Sequence, residues 1–368
     1  MRRLEIVTVV GARPQFVKAS AISRAIQQFN ASGVGVEVVE RIIHTGQHYD
    51  DNLSACFFKE LNIPEPSINL GVGSGSHVEQ TTKMMSRLAP HLVEAPPDWV
   101  LVYGDTNSTL SAALVASQLN IPVAHVESGL RSYDRHIAEE VNRVVTDYLS
   151  TLRFCSSITA VDNLAVEGMT AGVFNVGDVM LDTLDHYLSI AEQKSSILQK
   201  LELARESYYL STVHRAETTS DPERLSSIMR ALALLDYPVI LPLHPRTRLA
   251  LERFDVEVAS NVVLIDPVGY LDMLVLATNA RIILTDSGGI QKEAYWLHVP
   301  CVTMTKEHEW EELFDCGCNV LVDVDEVAIR KAVVAFEAIR DDVRYPEGLY
   351  GWGTSAIEIV KGLVEATA

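Results

Sequence analysis

The sequence predicts an α/β protein built from two doubly wound domains. Three observations carry this reading. Apolar, β-branched runs of strand length alternate with helical patterns from end to end, which indicates parallel sheets assembled from βαβ units. The chain has 368 residues, more than one hydrophobic core usually holds. A long helical pattern from Asp178 to about Leu203 divides the strand patterns, about a dozen of them, into two series.

In the first series, Leu4–Val10 reads as a buried strand, followed by Gly11-Ala-Arg-Pro14 and a helix from Gln15 to Phe29. Pro14 suits the first turn of that helix. Met1–Val10 has a superficial likeness to a secretion signal, but the run is short and contains Glu5, so a strand is the better reading. Val36–Ile43 is the next strand and ends in His44-Thr-Gly-Gln-His48; Asp50–Leu61 looks helical. Gly71–Ser76 has the composition of a mobile surface loop, a candidate lid. A helix over His77–Val93, a strand over Trp99–Tyr103, the turn Gly104–Asn107 and a small-residue helix to Leu119 follow. Val123–His125 is a short strand before Glu127–Arg131, and Ala138–Leu149 a helix. Strands near Leu152–Cys155 and Val173–Val176 complete the half.

The second series opens with strand Tyr209–Val213, ending at His214-Arg-Ala-Glu217, and helix Pro222–Leu235. Strand Val239–Leu243 ends at His244-Pro-Arg246, and Val262–Ile265 leads to a further helix. Ile282–Leu284 is a strand ending in Thr285-Asp-Ser-Gly-Gly289, where a helical pattern begins. A strand feeding a glycine turn and a helix start leaves backbone N–H groups and the positive end of a helix dipole free for phosphate oxygens. Glu293, one turn in, is positioned to accept from sugar hydroxyls. The plainer alternative is a helix capped by Ser287 or Asp286. Strands Cys301–Thr303 and Asn319–Val322 and helices Glu326–Ile339 and Thr354–Glu365 close the chain.

Composition excludes several functions. A net charge of −19 opposes a general nucleic-acid binder, which needs a basic face. No apolar run reaches the length of a membrane span. Five scattered cysteines suit reduced thiols in a cytoplasm better than a disulfide framework. Cys316-Gly-Cys318 and His44/His48 lack the further ligands a metal site needs. The first turn lacks the later glycines of a nicotinamide-binding fingerprint, and there is no P-loop.

The polar residues gather at one topological place. Arg13, His48, Asp105 and Glu127 each follow the carboxyl end of a first-half strand; His214, His244, Arg246, Asp286 and Ser287 do so in the second half. Ligands of open α/β sheets bind outside those ends. If the halves face each other, all these groups line one cleft. Arg13, Lys18, Arg131, Arg135, Arg143, His214, Arg215 and Arg246 are candidate anion binders, and Asp105, Glu127 and Glu139 candidate acids or bases. Such a mixture suits a nucleoside diphosphate carried on a sugar.

At this point the chain resembles the non-hydrolysing UDP-N-acetylglucosamine 2-epimerases. The segments that carry the resemblance are Gly11–Lys18, His44–His48, Gly104–Thr109, His125–Arg131, Glu139–Arg143, Val213–Glu217, His244–Arg246 and Thr285–Glu293. They run in family order across almost the whole chain. The resemblance implies two Rossmann-like doubly wound domains facing a central cleft in the glycosyltransferase-B arrangement: residues 1–177 plus 353–368 with the acid/base groups, and 178–352 binding UDP. It implies catalytic roles for Arg13, Lys18, Asp105, Glu127, Glu139 and His214. UDP contacts would come from Arg13, Arg143, His214, Arg215, His244, Ser287, Gly288, Gly289 and Glu293. It further implies a UDP-sugar substrate, no cofactor or metal, no nucleic-acid or membrane partner, a homodimer and a cytoplasmic location. The chain departs from the family pattern at Gln15 (commonly Glu), at Ala138 (commonly Pro) and across Met304–Glu312. There a Glu-Trp sequence is similar to the branch acting on UDP-2,3-diacetamido-2,3-dideoxyglucuronate.

The chemistry expected is elimination and re-addition. The C2 proton of an N-acetylhexosamine is not acidic until the C1–O bond to UDP loosens. A carboxylate then removes it, leaving a 2-acetamidoglucal and UDP, and re-addition follows protonation on the other face. The alternatives are a hydrolysing 2-epimerase and a glycosyltransferase on the same fold.

Overall fold

The computed structural model describes residues 2–33, 35–47, 63–306 and 310–367. The side chain of Arg13 is not among the described groups, and the expected helix Asp50–Leu61 and His48 lie outside the described residues. Internal contacts divide the chain into one unit, Met1–Asp185 with Gly348–Ala368, and another, His186–Glu347.

The first unit is built on strands β1 (Arg2–Val10), β2 (Val36–His44), β3 (Ile68–Asn69), β4 (Trp99–Tyr103), β5 (Val123–Ser128), β6 (Leu152–Cys155) and β7 (Val173–Asn175). They form one sheet in the order β3-β2-β1-β4-β5-β6-β7, and every pairing is parallel. The helices between them are α1 (Arg13–Ala31), α2 (His77–Glu94), α3 (Asn107–Gln118), α4 (Ala138–Leu149) and α5 (Ile158–Val166). A core of Val7, Val9, Ile43, Met84, Leu88, Val100, Val102, Ala112 and Ala116 sits on one face of the sheet. The alanines of α3 let that helix lie close to it.

Helix α6 (Val179–Lys194) is followed by a short α7 (Ile197–Lys200). The single long helix expected over 178–203 is therefore interrupted, where the Ser195 hydroxyl donates to Asp272 at 2.5 Å instead of facing solvent along a helix.

The second unit has strands β8 (Tyr209–Thr212), β9 (Val239–Pro242), β10 (Val262–Ile265), β11 (Ile283–Thr285), β12 (Cys301–Thr303) and β13 (Asn319–Leu321). Their order is β10-β9-β8-β11-β12-β13, again all parallel. Helices α8 (Ala216–Thr219), α9 (Pro222–Ala233), α10 (Pro245–Arg253), α11 (Tyr270–Thr278), α12 (Gly288–Trp296), α13 (Glu311–Asp315) and α14 (Glu326–Ile339) connect them. Leu225, Ile228, Leu232, Leu241, Leu284, Val302, Ile329 and Phe336 fill its core. The last helix, α15 (Ser355–Thr367), belongs to the first unit, where Trp99 Nε1 donates to Thr367 Oγ1 at 2.7 Å.

Strand order locates the sites. In each sheet the order reverses at the first strand, β1 in one unit and β8 in the other. A doubly wound sheet opens a crevice where the winding reverses. In the first unit this point lies between β1 and β4, and in the second between β8 and β11. Arg13 and Asp105 follow the first pair of strands; His214 and Asp286 follow the second pair.

One expectation is overturned. Gly71–Ser76 reads in sequence as a mobile loop, but its first half is laced down. Val72 N donates to Thr45 O at 3.0 Å, Gly73 N to Gly46 O at 2.9 Å, and Arg87 Nη1 to the Leu70 and Gly71 carbonyls at 2.6 and 2.8 Å. Distant partners supply those bonds, so local composition does not reveal them.

Candidate active site

The turn after β1 is tight. A side chain at Gly11 would collide with the Thr45 and Ser108 hydroxyls, which bond each other at 2.8 Å. Gln15, buried in the first turn of α1, accepts from Gly11 N and Ala12 N at 2.8 and 3.0 Å and donates to Tyr103 O and Thr109 Oγ1 at 2.9 and 3.0 Å. It therefore ties the turn after β1 to the turn after β4. The departure from the family's Glu at this position supplies an amide that donates as well as accepts.

Gly104 ends β4 with φ +59°, and a side chain there would sit 3.2 Å from Glu127 Oε2 and 3.7 Å from Lys18 Nζ. Glu127 and Lys18 form a nearly buried ion pair. Asp105, next in the chain, pairs with Arg143 of α4 through Oδ2 and Nη2 at 2.5 Å, and Asn142 holds the Asp105 carbonyl at 2.8 Å. Asp105, Arg143, Glu127 and Lys18 thus gather around one turn at the ends of the neighbouring strands β4 and β5.

Glu127 is held in a left-handed conformation, φ +67°, at the point where the β5–β6 register shifts between Val126 and Ser128. A glutamate rarely adopts this conformation, and such strain, of order 1–3 kcal/mol, collects at functional sites. The bulge re-aims the side chain out of the strand's alternation.

Beneath these turns lies a buried charge network. His125 Nδ1 is 2.7 Å from Asp147 Oδ1 and its Nε2 is 2.7 Å from the Gly104 carbonyl. A carbonyl and a carboxylate both accept, so each ring nitrogen faces an acceptor. Asp147 also accepts from Ser128, from Gly129 N at 3.2 Å and from Arg131 Nη1 at 2.7 Å. Burial raises the Asp147 carboxyl, but His125, Arg131 and Ser128 outweigh it and bring it down to about 2. Arg131 also pairs with Glu167 through Nε and Nη2, at 2.7 and 2.9 Å. Arg131 is therefore a buried structural cation, which corrects its reading as an anion binder: its charge is already neutralised by two carboxylates.

Glu139 is exposed in the first turn of α4, one turn before Arg143 on the same face. Its neighbour Glu140 is buried and accepts from Ser132 N and Tyr133 N at 2.9 and 3.0 Å, fixing the preceding loop.

In the second unit, Asp286 turns away from the helix it precedes. Its Oδ2 accepts from His214 N and Arg215 N, both at 2.8 Å, and His214 Nδ1 lies 3.0 Å from its Oδ1. Burial pushes the Asp286 carboxyl up; His214 and the two backbone donors more than offset this and hold it below the ordinary range. The His214 ring is 5.7 Å from that of His244. Arg215 Nε donates to Asp286 O at 2.6 Å, and Arg246 Nη1 to His214 O at 3.3 Å.

Ser287 takes the N-cap position of α12 but makes no side-chain capping bond. The capped-helix alternative is thereby removed, because Asp286 is committed to His214 and Arg215. The Gly288–Gly289 start of the helix therefore carries no side-chain cap, an arrangement that suits an anion. A side chain at Gly289 would meet nothing within 4 Å. Glu293 is buried in α12.

The segment before α13 reaches this turn. Trp310 Nε1 donates to the Gly288 carbonyl at 3.0 Å, and the buried Lys292 ammonium lies 3.6 Å from the Trp310 ring centre. The sequence marks Trp310 only as part of the divergent Glu-Trp segment and gives no role to Lys292, Asp147 or His125. Residues 307–309 of this segment lie outside the described residues. Among the described residues no group of three or more His, Cys, Asp and Glu side chains is placed to hold a metal, and no helix is long and apolar enough to cross a membrane.

Residues 35–364 match the family model described as UDP-N-acetylglucosamine 2-epimerase. The chain belongs to that family. The family's members are UDP-GlcNAc 2-epimerases, so this chain is an isomerase. A UDP-N-acetylglucosamine 2-epimerase homolog of Methanococcus maripaludis is 46% identical, covering 98% of this chain and 99% of its own. The UDP-2,3-diacetamido-2,3-dideoxy-D-glucuronate 2-epimerase of Pseudomonas aeruginosa is 43% identical, covering 98% and 100%. The crystal structure of the Methanocaldococcus jannaschii UDP-GlcNAc 2-epimerase in complex with UDP-GlcNAc and UDP superposes with a TM-score of 0.89 at 39% identity, over 98% of this chain and 100% of that one.

Proposed function

We propose that this enzyme inverts C2 of a UDP-N-acetylhexosamine without hydrolysing it, interconverting UDP-GlcNAc and UDP-ManNAc. The observation that carries the reading is the pair of charge-compensated carboxylates, Asp105 with Arg143 and Glu127 with Lys18, around the turn that ends β4. Inversion at C2 needs a group to take a proton from one face and a group to return it to the other.

In the forward direction a carboxylate takes the C2 proton, the C1–C2 double bond forms, and the C1–O electron pair leaves on UDP. The glucal then gains a proton at C2 from the opposite face while UDP oxygen re-forms its bond to C1. Asp105, Glu127 and Glu139 supply the transfers. Lys18 and Arg143 compensate the charge that appears and disappears on their partners as the proton moves. General acid–base help of this kind is worth roughly 10²–10⁴-fold. The N-terminal region, 1–177 with 353–368, carries this chemistry. Residues 178–352 hold UDP: the Gly288–Gly289 helix start, with Ser287, His214, Arg215 and His244, takes the diphosphate, and Glu293 the ribose; Arg13 and Arg143 of the N-terminal region are further UDP contacts. Asp286 fixes the ring of His214. The same reading gives a cytoplasmic homodimer supplying a sugar nucleotide to polysaccharide synthesis.

A second substrate, UDP-2,3-diacetamido-2,3-dideoxyglucuronate, is favoured by two observations: Trp310 of the divergent segment touches the Gly288 turn, and the Pseudomonas relative is 43% identical. Proton NMR in D₂O with each donor distinguishes the readings. Deuterium entering C2 with UDP still attached is the expected result, on UDP-GlcNAc for the first reading and on the uronate for the second. Free sugar with UDP would transfer the protein to the hydrolysing epimerases. Absence of C2 exchange on both donors would leave a glycosyltransferase.

A further inference from the structure

Three cysteines of the second unit have no part in this chemistry. Helix α13 ends at Asp315, and Cys316 caps it. Gly317, with φ +75°, reverses the chain, and Cys318 leads directly into β13. This turn brings the two sulfurs to 3.1 Å, and both thiols face the Leu313 carbonyl at 3.4 and 3.6 Å. The two differ in setting. Cys318 is buried and anchored to the sheet, its carbonyl accepting from Cys301 N at 3.1 Å. Cys316 is half-buried at a helix end. A side chain added at Gly317 would meet nothing within 4 Å, so the flank of the turn is open to a second molecule.

We propose that Cys316-Gly317-Cys318 is a thiol–disulfide exchange site for low-molecular-weight disulfides, with Cys316 the attacking sulfur and Cys318 the resolving one. In the first step the Cys316 thiolate attacks one sulfur of the disulfide RSSR. The S–S bond breaks, its electron pair leaves on RS⁻, and a mixed disulfide forms on Cys316. Cys318 then gives up its proton to the departing RS⁻ and attacks the Cys316 sulfur. The intramolecular S–S bond forms and the second RS⁻ leaves, protonated from solvent. The two protein thiols are oxidised by two electrons and RSSR is reduced to two RSH.

The asymmetry of the pair suits these roles. The Cys318 S–H bond lowers the Cys316 thiol, against burial and the nearby Asp315 charge. The same contact, with burial, raises Cys318. The attacking sulfur of an exchange reaction must be available as thiolate. A disulfide spanning one intervening residue closes a small, strained ring, and strained disulfides are the labile ones. The proposal does not depend on the epimerase reading.

The test is incubation of the full chain with excess oxidised glutathione, followed by denaturing alkylation and peptide mass spectrometry. The 316–318 peptide should lose two hydrogens and keep no adduct. Cys155 and Cys301, buried thiols both pushed up to about 12, should remain alkylated. Cys318→Ser should trap a lasting glutathione adduct on Cys316, and Cys316→Ser should acquire one on Cys318 at least about tenfold more slowly. Two intact thiols in the wild-type protein, or a lasting wild-type adduct on Cys316, would overturn the proposal. Equal adduct rates in the two serine variants would also overturn it. Should Cys318→Ser fail to fold, Cys318→Ala answers the same question.

Discussion

At and beside the reversal point of the first sheet, the turns after β4 and its neighbour β5 present carboxylates pressed against cations, one of them on a strained, left-handed glutamate. At the reversal point of the second, the turns after β8 and β11 present a histidine backed by a buried aspartate, and a helix opening on two glycines. The topology is the same, and the chemistry placed on it differs. Charge-paired side chains on a strained backbone can exchange protons; uncapped backbone N–H groups can only hold an anion. On the function proposed above, the difference puts bond-making in the first unit and binding in the second.

The largest expected effect tests the first half of that contrast. Asp105→Asn removes a proposed proton-transfer group and breaks the Asp105–Arg143 ion pair, while Arg143 keeps Glu140 at 3.4 Å. Turnover should fall by roughly 10²–10⁴-fold, measured by the rate of C2 epimerisation, while UDP affinity by calorimetry stays within about threefold of wild type. Turnover near the wild-type rate would take Asp105 out of the mechanism.

Next comes the support beneath the first site. Asp147 is held at about 2 against an ordinary 3.8, so its ionised form stabilises the folded state above about pH 4. That stability fades as pH falls through 2. Asp147→Asn should cost about 2 kcal/mol at neutral pH and flatten the acid limb of stability between pH 4 and 2, followed by denaturant unfolding. An unchanged acid limb would mean that the His125–Asp147–Arg131 network contributes nothing to the fold of the first unit.

The smallest effect probes the second half. Gly289→Ala adds a methyl that meets no protein atom within 4 Å and improves helix propensity by up to about 1 kcal/mol. Thermal stability should hold or rise slightly, while UDP affinity falls about tenfold because the methyl occupies the anion's space. Unchanged affinity would move the diphosphate elsewhere.

Much of this was legible in the sequence. Strands and helices follow from apolar periodicity, and helix Glu326–Ile339 has the limits its pattern gives. The order of the strands is not written in local patterns, so the sequence could place Asp105 and His214 at strand ends but not at the reversal points. The two-residue β3 is too short to leave a pattern. Burial is equally hidden: Arg131 looks like an anion binder until Asp147 and Glu167 are seen closing on it. Asp286 looks like a helix cap until it is seen facing His214. A glutamate at positive φ has no sequence signature, so the strain at Glu127 could only be observed.

The division of labour is tested most directly in one variant, Glu127→Gln, by measuring C2 deuterium exchange and UDP binding on the same preparation. The account predicts that exchange into the UDP-sugar falls by at least about 10²-fold while the dissociation constant for UDP changes by less than about threefold. Exchange at the wild-type rate, or UDP affinity lost in step with exchange, would contradict it.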